Sequence, residues 1–304
     1  MKHSAKVLAD SVALDPWTGE LVRLISLEVT FPRYLLAEFN THRQFSRNSA
    51  SSRAIPVKIR VQQVREDPFV PSAFTKNKSG MQADTTIDEA NQSVAEMIWL
   101  DAAKSACVAA EGLSNIEVHK QQANRVLEAF VWHTVVVTAT YWDNFWNLRD
   151  HEGADPEMIR TAKVMRAAVE ASKPMELLPG DWHLPYVNIM DKHTTEGLCL
   201  FGPSYWDQLV KESVARCAAI SYERQNVEKS ADDYAKRHDS LKTGGHMSPL
   251  EHQARVATPE EIKRYAYHQW DEKTDSFRPV CFGNLQVPWF QYRKMIPGEA
   301  VFRG

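Results

Sequence analysis

Residues 21–53 read LVRLISLEVTFPRYLLAEFNTHRQFSRNSASSR. The first part, Leu21 to Phe31, is rich in apolar and β-branched residues with partial alternation, which predicts a strand. Pro32 then suits the first position of a helix, and Leu35, Leu36 and Phe39 have the spacing of one helical face. Such a helix would deliver His42 and Arg43 at its C-terminal end. Gln44 to Arg53 is small and polar and ends at Ala54-Ile55-Pro56, so it reads as a structured loop. Within this loop Arg43, Arg47 and Arg53 stand among Ser46, Asn48, Ser49, Ser51 and Ser52. Guanidinium forks and hydroxyls at a helix–loop junction suit phosphate, because each arginine can make paired charge-assisted bonds to phosphate oxygens. Composition alone favours a solvated turn over a binding site.

The rest of the chain excludes more than it assigns. The 304 residues carry 36 Lys+Arg against 39 Asp+Glu, a formal charge of -3, without the basic excess expected of a partner of nucleic acid or anionic lipid. There are only 12 glycines and neither GxGxxG nor GxxxxGK[ST], so any phosphate must be held by something other than a glycine cradle. Paired hydrolytic carboxylates and GxSxG are also missing. Cys107, Cys199, Cys217 and Cys281 are scattered, with no CxxC pair and no setting that would lower a thiol pKa, which fits a reducing cytoplasm. The N-terminus lacks a signal-peptide pattern and no apolar run is long enough for a membrane span, so a cytoplasmic protein without membrane attachment is expected. The length admits one large α/β or α+β unit or two domains. We expect one catalytic domain over 1–304, with a candidate sub-boundary near 190–205.

Several helices are predicted. Thr85 to Glu111 should be one, with Asp88 near its start, Val94, Ile98, Ala102 and Val108 along one side and Gly112 as its stop. Asn124 to Trp142, apolar nearly all round, reads as a buried helix. Asp155-Pro156-Glu157 is a helix start that carries on to Pro174, with Arg160 turned away from the apolar stripe. Asp207 to Arg224 and Glu260 to Gln269 are further helices, and Val227 to Thr243 is the most linker-like stretch.

Two other segments carry chemistry. In NFWNLR, Asn144 to Arg149, followed by PEMIR ending at Arg160, two arginines could converge on a second anion; the alternative is that Asn147 and Arg149 cap helix carbonyls. In GGHMSPLEH, Gly244 to His252, the two histidines are six apart across Pro249, which matches no zinc spacing, so a loop presenting Ser and His to a ligand fits better than a metal site.

Taken together, HRQFSRNSASSR, NFWNLR, PEMIR, AISY, HMSPLEH and QYRK (Gln291 to Lys294) resemble the flavin-dependent thymidylate synthases, whose signature runs R-H-R-x-x-S-x-N-x-x-S-x-R. His42, Arg43, Ser46, Asn48, Ser51 and Arg53 fall in register with it. In the family as usually met, the SY and H-x-[ST]-P-x-E-H segments precede the arginine motif. Here Ser221-Tyr222 and His246 to His252 follow it, as in a rearranged or circularly permuted chain. Such a rearrangement requires that the histidine segment still meet the arginine segment in space. Residues 60 to 120 match no part of the family pattern.

The resemblance implies an α/β (α+β) fold, an antiparallel or mixed sheet flanked by long helices, assembled as a homotetramer with sites between subunits. It implies FAD as cofactor, NADPH as reductant, methylenetetrahydrofolate as carbon donor and dUMP as substrate, converted to dTMP with hydride from reduced flavin and without an enzyme nucleophile. Carried over by position, His42, Arg43, Gln44, Asn48, Asn147, Arg149, Ser221, His246 and Ser248 would hold the flavin. Ser49, Ser51, Ser52, Arg53 and Arg160 would hold the nucleotide, with Arg53, Ser51 and Arg160 nearest the chemistry, and Glu38 stands where the family has a nucleotide-contacting Gln. Three departures are present: Thr41 for the first Arg, Ser49 for a Glu and Ala54 for a Tyr. They leave open a pyrimidine hydroxymethylase, acting on dUMP or dCMP, and a non-catalytic flavin- or nucleotide-binding relative.

Overall fold

A computed structural model describes residues 2–51, 53–80, 85–187, 203–220, 229–267, 270–271, 276–277 and 283–299. Its centre is a five-stranded sheet of β1 (Ser4–Leu14), β2 (Leu21–Pro32), β3 (Ser46–Ser49), β4 (Trp132–Ala139) and β5 (Met175–Glu176), in the order β3-β4-β2-β1-β5. The pairs β1–β2, β2–β4 and β3–β4 are antiparallel and β1–β5 is parallel, so the sheet is mixed, as the α/β expectation required. The strand expected over Leu21 to Phe31 is β2. Its partner β1 carries no strong period that marks it as a strand.

The pleat gives this sheet two unlike faces. Ile25, Leu27, Val29 and Phe31 of β2 and Val135, Val137 and Ala139 of β4 share one face with Leu35, Phe39, Phe45, Phe145, Met158, Ala162 and Met165, all buried. The residues between them, Ser26, Glu28, Val136 and Thr138, point to the other face. That polar-lined face is covered by a second sheet and by a helix end, and it builds the site.

After Pro32 the chain makes a 3-10 turn, Arg33–Leu35, and a single helical turn α1 (Leu36–Phe39). The expected helix is therefore shorter than its spacing suggested, and His42 and Arg43 lie in the turn beyond it. The stretch expected as a loop, Gln44 to Arg53, contains β3: Ser46 to Ser49 pair with Thr138 to Val135 as a short polar edge strand.

The larger correction is at Asn124 to Trp142, which is no helix. Asn124–Phe130 is a 3-10 segment and the following residues form β4, buried on both sides between β2 and β3. An apolar run has the same composition in a buried helix and a central strand, and the β-branched Thr134 to Thr138 favour the strand.

Between β3 and β4 come α2 (Val57–Glu66), α3 (Glu89–Asn115) and α4 (Lys120–Ala123), which account for the unmatched residues 60 to 120. Asp88 caps α3 by accepting from the Asn91 amide, as expected. The helix runs through Gly112, however, and the left-handed residue after its end is Glu117 at φ 63°. Its buried side is Ala103, Cys107 and Ala110, packed with Val61, Val64 and Leu127, while Ile98 and Val108 are 63% and 65% exposed. Val94, Ile98, Ala102 and Val108 do share one side, the exposed one opposite these contacts.

Beyond β4 come α5 (Asp143–Arg149) and α6 (Pro156–Ala171). Asp155 caps α6 through the Glu157 and Met158 amides with Pro156 at the first position, and Met158, Ala162 and Met165 are buried. The candidate boundary near 190–205 falls largely on residues 188–202, outside the described residues. α7 (Pro203–Ala218) ends earlier than expected. The stretch taken for a linker contains α8 (Ala231–Thr243), capped by Ser230 and anchored by Tyr234, His238 and Leu241. A last helix, α9 (Pro259–Tyr267), follows near its expected place. β6 (Trp182–His183), β7 (Ala254–Val256) and, after the hairpin β8 (Trp270–Asp271) and β9 (Ser276–Phe277), β10 (Trp289–Gln291) complete the fold. The order β10-β7-β6 forms the second sheet, whose Ala254, Val256 and Trp289 pack on Ala13 and Leu24 of the first. No helix among the described residues is long and apolar enough to cross a membrane.

Candidate functional site

The site begins at edge strand β3. Alternation sends Ser46 and Asn48 to the polar-lined face and Arg47 and Ser49 to the other. Asn48 Nδ2 donates to the Cys217 carbonyl at 2.7 Å, near the end of α7, where helix carbonyls lack intrahelical donors. Its Oδ1 accepts from Ser248 Oγ at 3.1 Å. Ser248 opens the short 3-10 turn Ser248–Glu251 of the HMSPLEH segment. Two motifs 200 positions apart thus meet within one subunit, as a rearranged chain requires.

HMSPLEH is anchored from beneath. His252 is buried, its Nδ1 2.9 Å from Thr138 Oγ1. Thr138 Oγ1 lies 2.5 Å from Ser26 Oγ, Ser26 Oγ 2.9 Å from His183 Nε2, and His183 Nδ1 2.9 Å from Ser11 Oγ. This chain of side chains crosses four strands of the molecule. Burial pushes both rings down to about 3, so they are neutral at neutral pH. His252 Nε2 is a buried polar atom with no hydrogen-bond partner. His246, by contrast, is exposed, so the two histidines of the segment do not converge as metal ligands would.

A second cluster forms around Arg149 at the end of α5. Its Nε donates to His42 Nε2 at 2.9 Å, its Nη2 to Thr41 Oγ1 at 3.2 Å, and its Nη1 to Glu38. Thr41 Oγ1 in turn donates to the Glu38 carbonyl at 2.7 Å. Burial, then the charges of Arg149 and Arg47, lower His42 to about 4, so its ring is a neutral acceptor. Arg149 therefore joins the signature turn and does not cap its own helix. Asn147, two positions earlier on α5, is exposed and faces elsewhere.

Other candidates lie on the surface. Arg43, Gln44, Ser51, Arg53, His246 and Ser248 are exposed, and Ser49 is half-buried. Arg43 and Arg53 form no ion pair with any described residue. The Arg53 amide donates to Ser51 Oγ at 3.3 Å, keeping the two candidates in one turn. Arg160 is exposed on the outer side of α6 and bonded to none of the others, as its predicted orientation implied. Ser52 and Ser221 lie outside the described residues.

Two side chains assigned no role from sequence also enter the site. Asn284 and Gln291 both contact Ser46, and Asn284 Nδ2 donates to the Gln44 carbonyl at 3.1 Å. Gln291 begins QYRK, a segment quoted for the family resemblance, which was the only signal available. Glu251 of HMSPLEH holds Arg293 of the same segment in an ion pair. The thiols of Cys107 and Cys217 are buried, and burial pushes both up, away from nucleophilic character.

This arrangement offers guanidinium, hydroxyl and amide donors on exposed and half-exposed side chains, with the Glu38 carboxylate already paired to Arg149. That donor set fits a pyrophosphate-bearing cofactor such as FAD. A sequence profile described as thymidylate synthase complementing protein matches residues 22–175, just over half of the chain. No curated protein matches. Among solved structures, the UMP/dUMP methylase PolB from Streptomyces cacaoi bound with 5-Br UMP overlaps at a TM-score of 0.45 and 15% identity, covering 55% of this chain and 88% of that one. The same enzyme with 5-Br dUMP overlaps at 0.42 and 18%, covering 48% and 66%.

Proposed function

Because the chain belongs to the thymidylate synthase complementing protein family, we propose that it is a flavin-dependent enzyme that methylates dUMP to dTMP with methylenetetrahydrofolate as carbon donor and NADPH as reductant. The observation that carries this reading is the bond between Ser248 and Asn48, which joins two motifs whose order in sequence is unusual. Arg43, Asn48, His42 and Ser248 would hold FAD, with Gln44, Asn147, Arg149, Ser221 and His246 as further candidates. FAD bound there would supply the hydride that completes the methyl group.

The chain's own residues bind and orient. Arg53, with Ser51, Ser52 and Arg160, would neutralise the nucleotide phosphate, while Ser49 and Glu38 would face the nucleoside. Arg160 stands apart from the signature within one subunit, and Val94, Met97, Ile98 and Val108 expose an apolar stripe along α3. Both features support a homo-oligomer, which we read as a homotetramer with shared sites; a cytoplasmic location is proposed from the sequence alone.

Mass analysis of products formed from dUMP, methylenetetrahydrofolate, FAD and NADPH tests the reading. A methylated nucleotide is expected. A hydroxymethylated product, or turnover of dCMP alone, would replace it with the hydroxymethylase reading that Ser49 raises. Bound flavin without turnover of any pyrimidine nucleotide would make the chain a non-catalytic relative.

A further inference from the structure

Gln291, the last residue of β10, is 2% exposed and holds three separate segments together. Its Nε2 lies 2.9 Å from Ser46 Oγ on the signature strand, 2.9 Å from the Glu251 carbonyl of HMSPLEH and 2.8 Å from Asn284 Oδ1. Ser46 Oγ donates to the same Asn284 Oδ1 at 3.0 Å, closing a triangle, and Asn284 reaches on to the Gln44 carbonyl. The amide's other end is fixed by packing. At Gly283, φ 107°, an added Cβ would collide with Gln291 Oε1 and lie 3.0 Å from its Cδ.

Apart from its ladder to β4 and the two bonds of Asn48, these contacts are what hold the strand in register. β3 is only four residues long and sits at the edge of its sheet, paired to β4 alone. Short polar edge strands slip or fray readily, because register is enforced by burial of one face. Ser46 is buried beside the triangle, and Asn48, two residues on, shares its face. A slip of one residue would turn Asn48 to the opposite side and withdraw it from Ser248.

We propose that Gln291, supported by Asn284, is a positioning residue that fixes β3 against the HMSPLEH segment and so sets the surface on which Arg43, Asn48 and Ser248 receive a flavin. The inference rests on the flavin reading for its last step only. The clamp itself is a property of the ligand-free chain, and the two parts are separately measurable.

The experiment compares wild type with Gln291→Met, which keeps length and removes the donors, and with Asn284→Ala, a milder change at a half-exposed position. Hydrogen exchange of the residue 46–50 amides is followed in ligand-free protein alongside those of β1 and β2, and FAD affinity is measured by absorption titration. Both variants should speed exchange in β3 by about tenfold or more, the scale of one lost buried hydrogen bond, leave β1 and β2 protected, and weaken FAD by a similar factor. Adding Ser46→Ala to Gln291→Met should cost little more than either change alone, since both break one triangle. Unchanged β3 exchange would overturn the clamp, as would equal acceleration in all three strands, the mark of general destabilisation. If wild type takes up no FAD, the flavin reading fails and exchange alone judges the clamp. If Gln291→Met does not fold, Asn284→Ala decides.

Discussion

Lowering the pH from 7 to 5 should destabilise this protein steeply through three buried rings. His133, His183 and His252 are 2%, 1% and 0% exposed, and burial holds each down at about 3 against an ordinary 6.5. His133 is held down further by Arg33, whose Nη1 lies 2.9 Å from its Nε2, and by Arg60. Between pH 6.5 and 3 the unfolded chain binds a proton at each ring and the folded chain does not. Stability therefore falls as pH falls through that window. Linkage with those two values gives a loss of about 2 kcal/mol per ring between pH 7 and 5, and about 6 kcal/mol for the three. That is a large part of a typical domain's stability. Urea denaturation followed by circular dichroism at pH 7, 6 and 5 measures it, with His183→Gln and His252→Gln as comparisons. Each variant should be weaker at pH 7 but lose about 2 kcal/mol less on acidification than wild type. A variant that keeps the full wild-type pH slope would refute the assignment of that ring as buried and neutral.

Glu38→Gln removes the carboxylate that occupies Arg149, so affinity for FAD, whose pyrophosphate Arg149 would then be free to meet, should rise by about fivefold, the difference between a charge-assisted and a neutral bond; isothermal titration reads this, and unchanged or weaker FAD binding would remove Arg149 from the flavin site. Arg53→Ala should weaken dUMP by about tenfold or more, the scale of a charge-assisted bond, and an unchanged dissociation constant removes Arg53 from the site. Ile98→Glu, on the exposed stripe of α3, should lower the assembled mass seen by light scattering while leaving the circular dichroism spectrum intact. Retention of the oligomer would place its interface elsewhere.

How far the sequence could be read depended on the kind of signal each segment carries. The signature was legible because its chemistry resides in fixed side chains at fixed spacing, and β2, α6 and the Asp88 and Asp155 caps were legible because local rules specify them. β4 was misread as a helix because Val135-Val136-Val137 is apolar without a period, and its neighbours β2 and β3 decide its conformation. On α3 the larger Ile98 and Val108 outweighed Ala103, Cys107 and Ala110, although the small residues make the tight contact. α8 reads as the most linker-like stretch because only three buried side chains anchor an otherwise polar helix. In the site, the partnership of Arg149 with His42 joins positions 107 apart, and that of Gln291 with Ser46 joins positions 245 apart. No local pattern encodes such pairs.

Visible absorption of the purified protein, titrated with FAD and then with dUMP, tests the central claim most directly. A saturable flavin spectrum that shifts when dUMP is added is expected, because Asn48 and Arg53, the proposed flavin and nucleotide contacts, lie on one stretch of chain. A protein that takes up no FAD, or whose flavin spectrum ignores dUMP at saturating concentration, would contradict it.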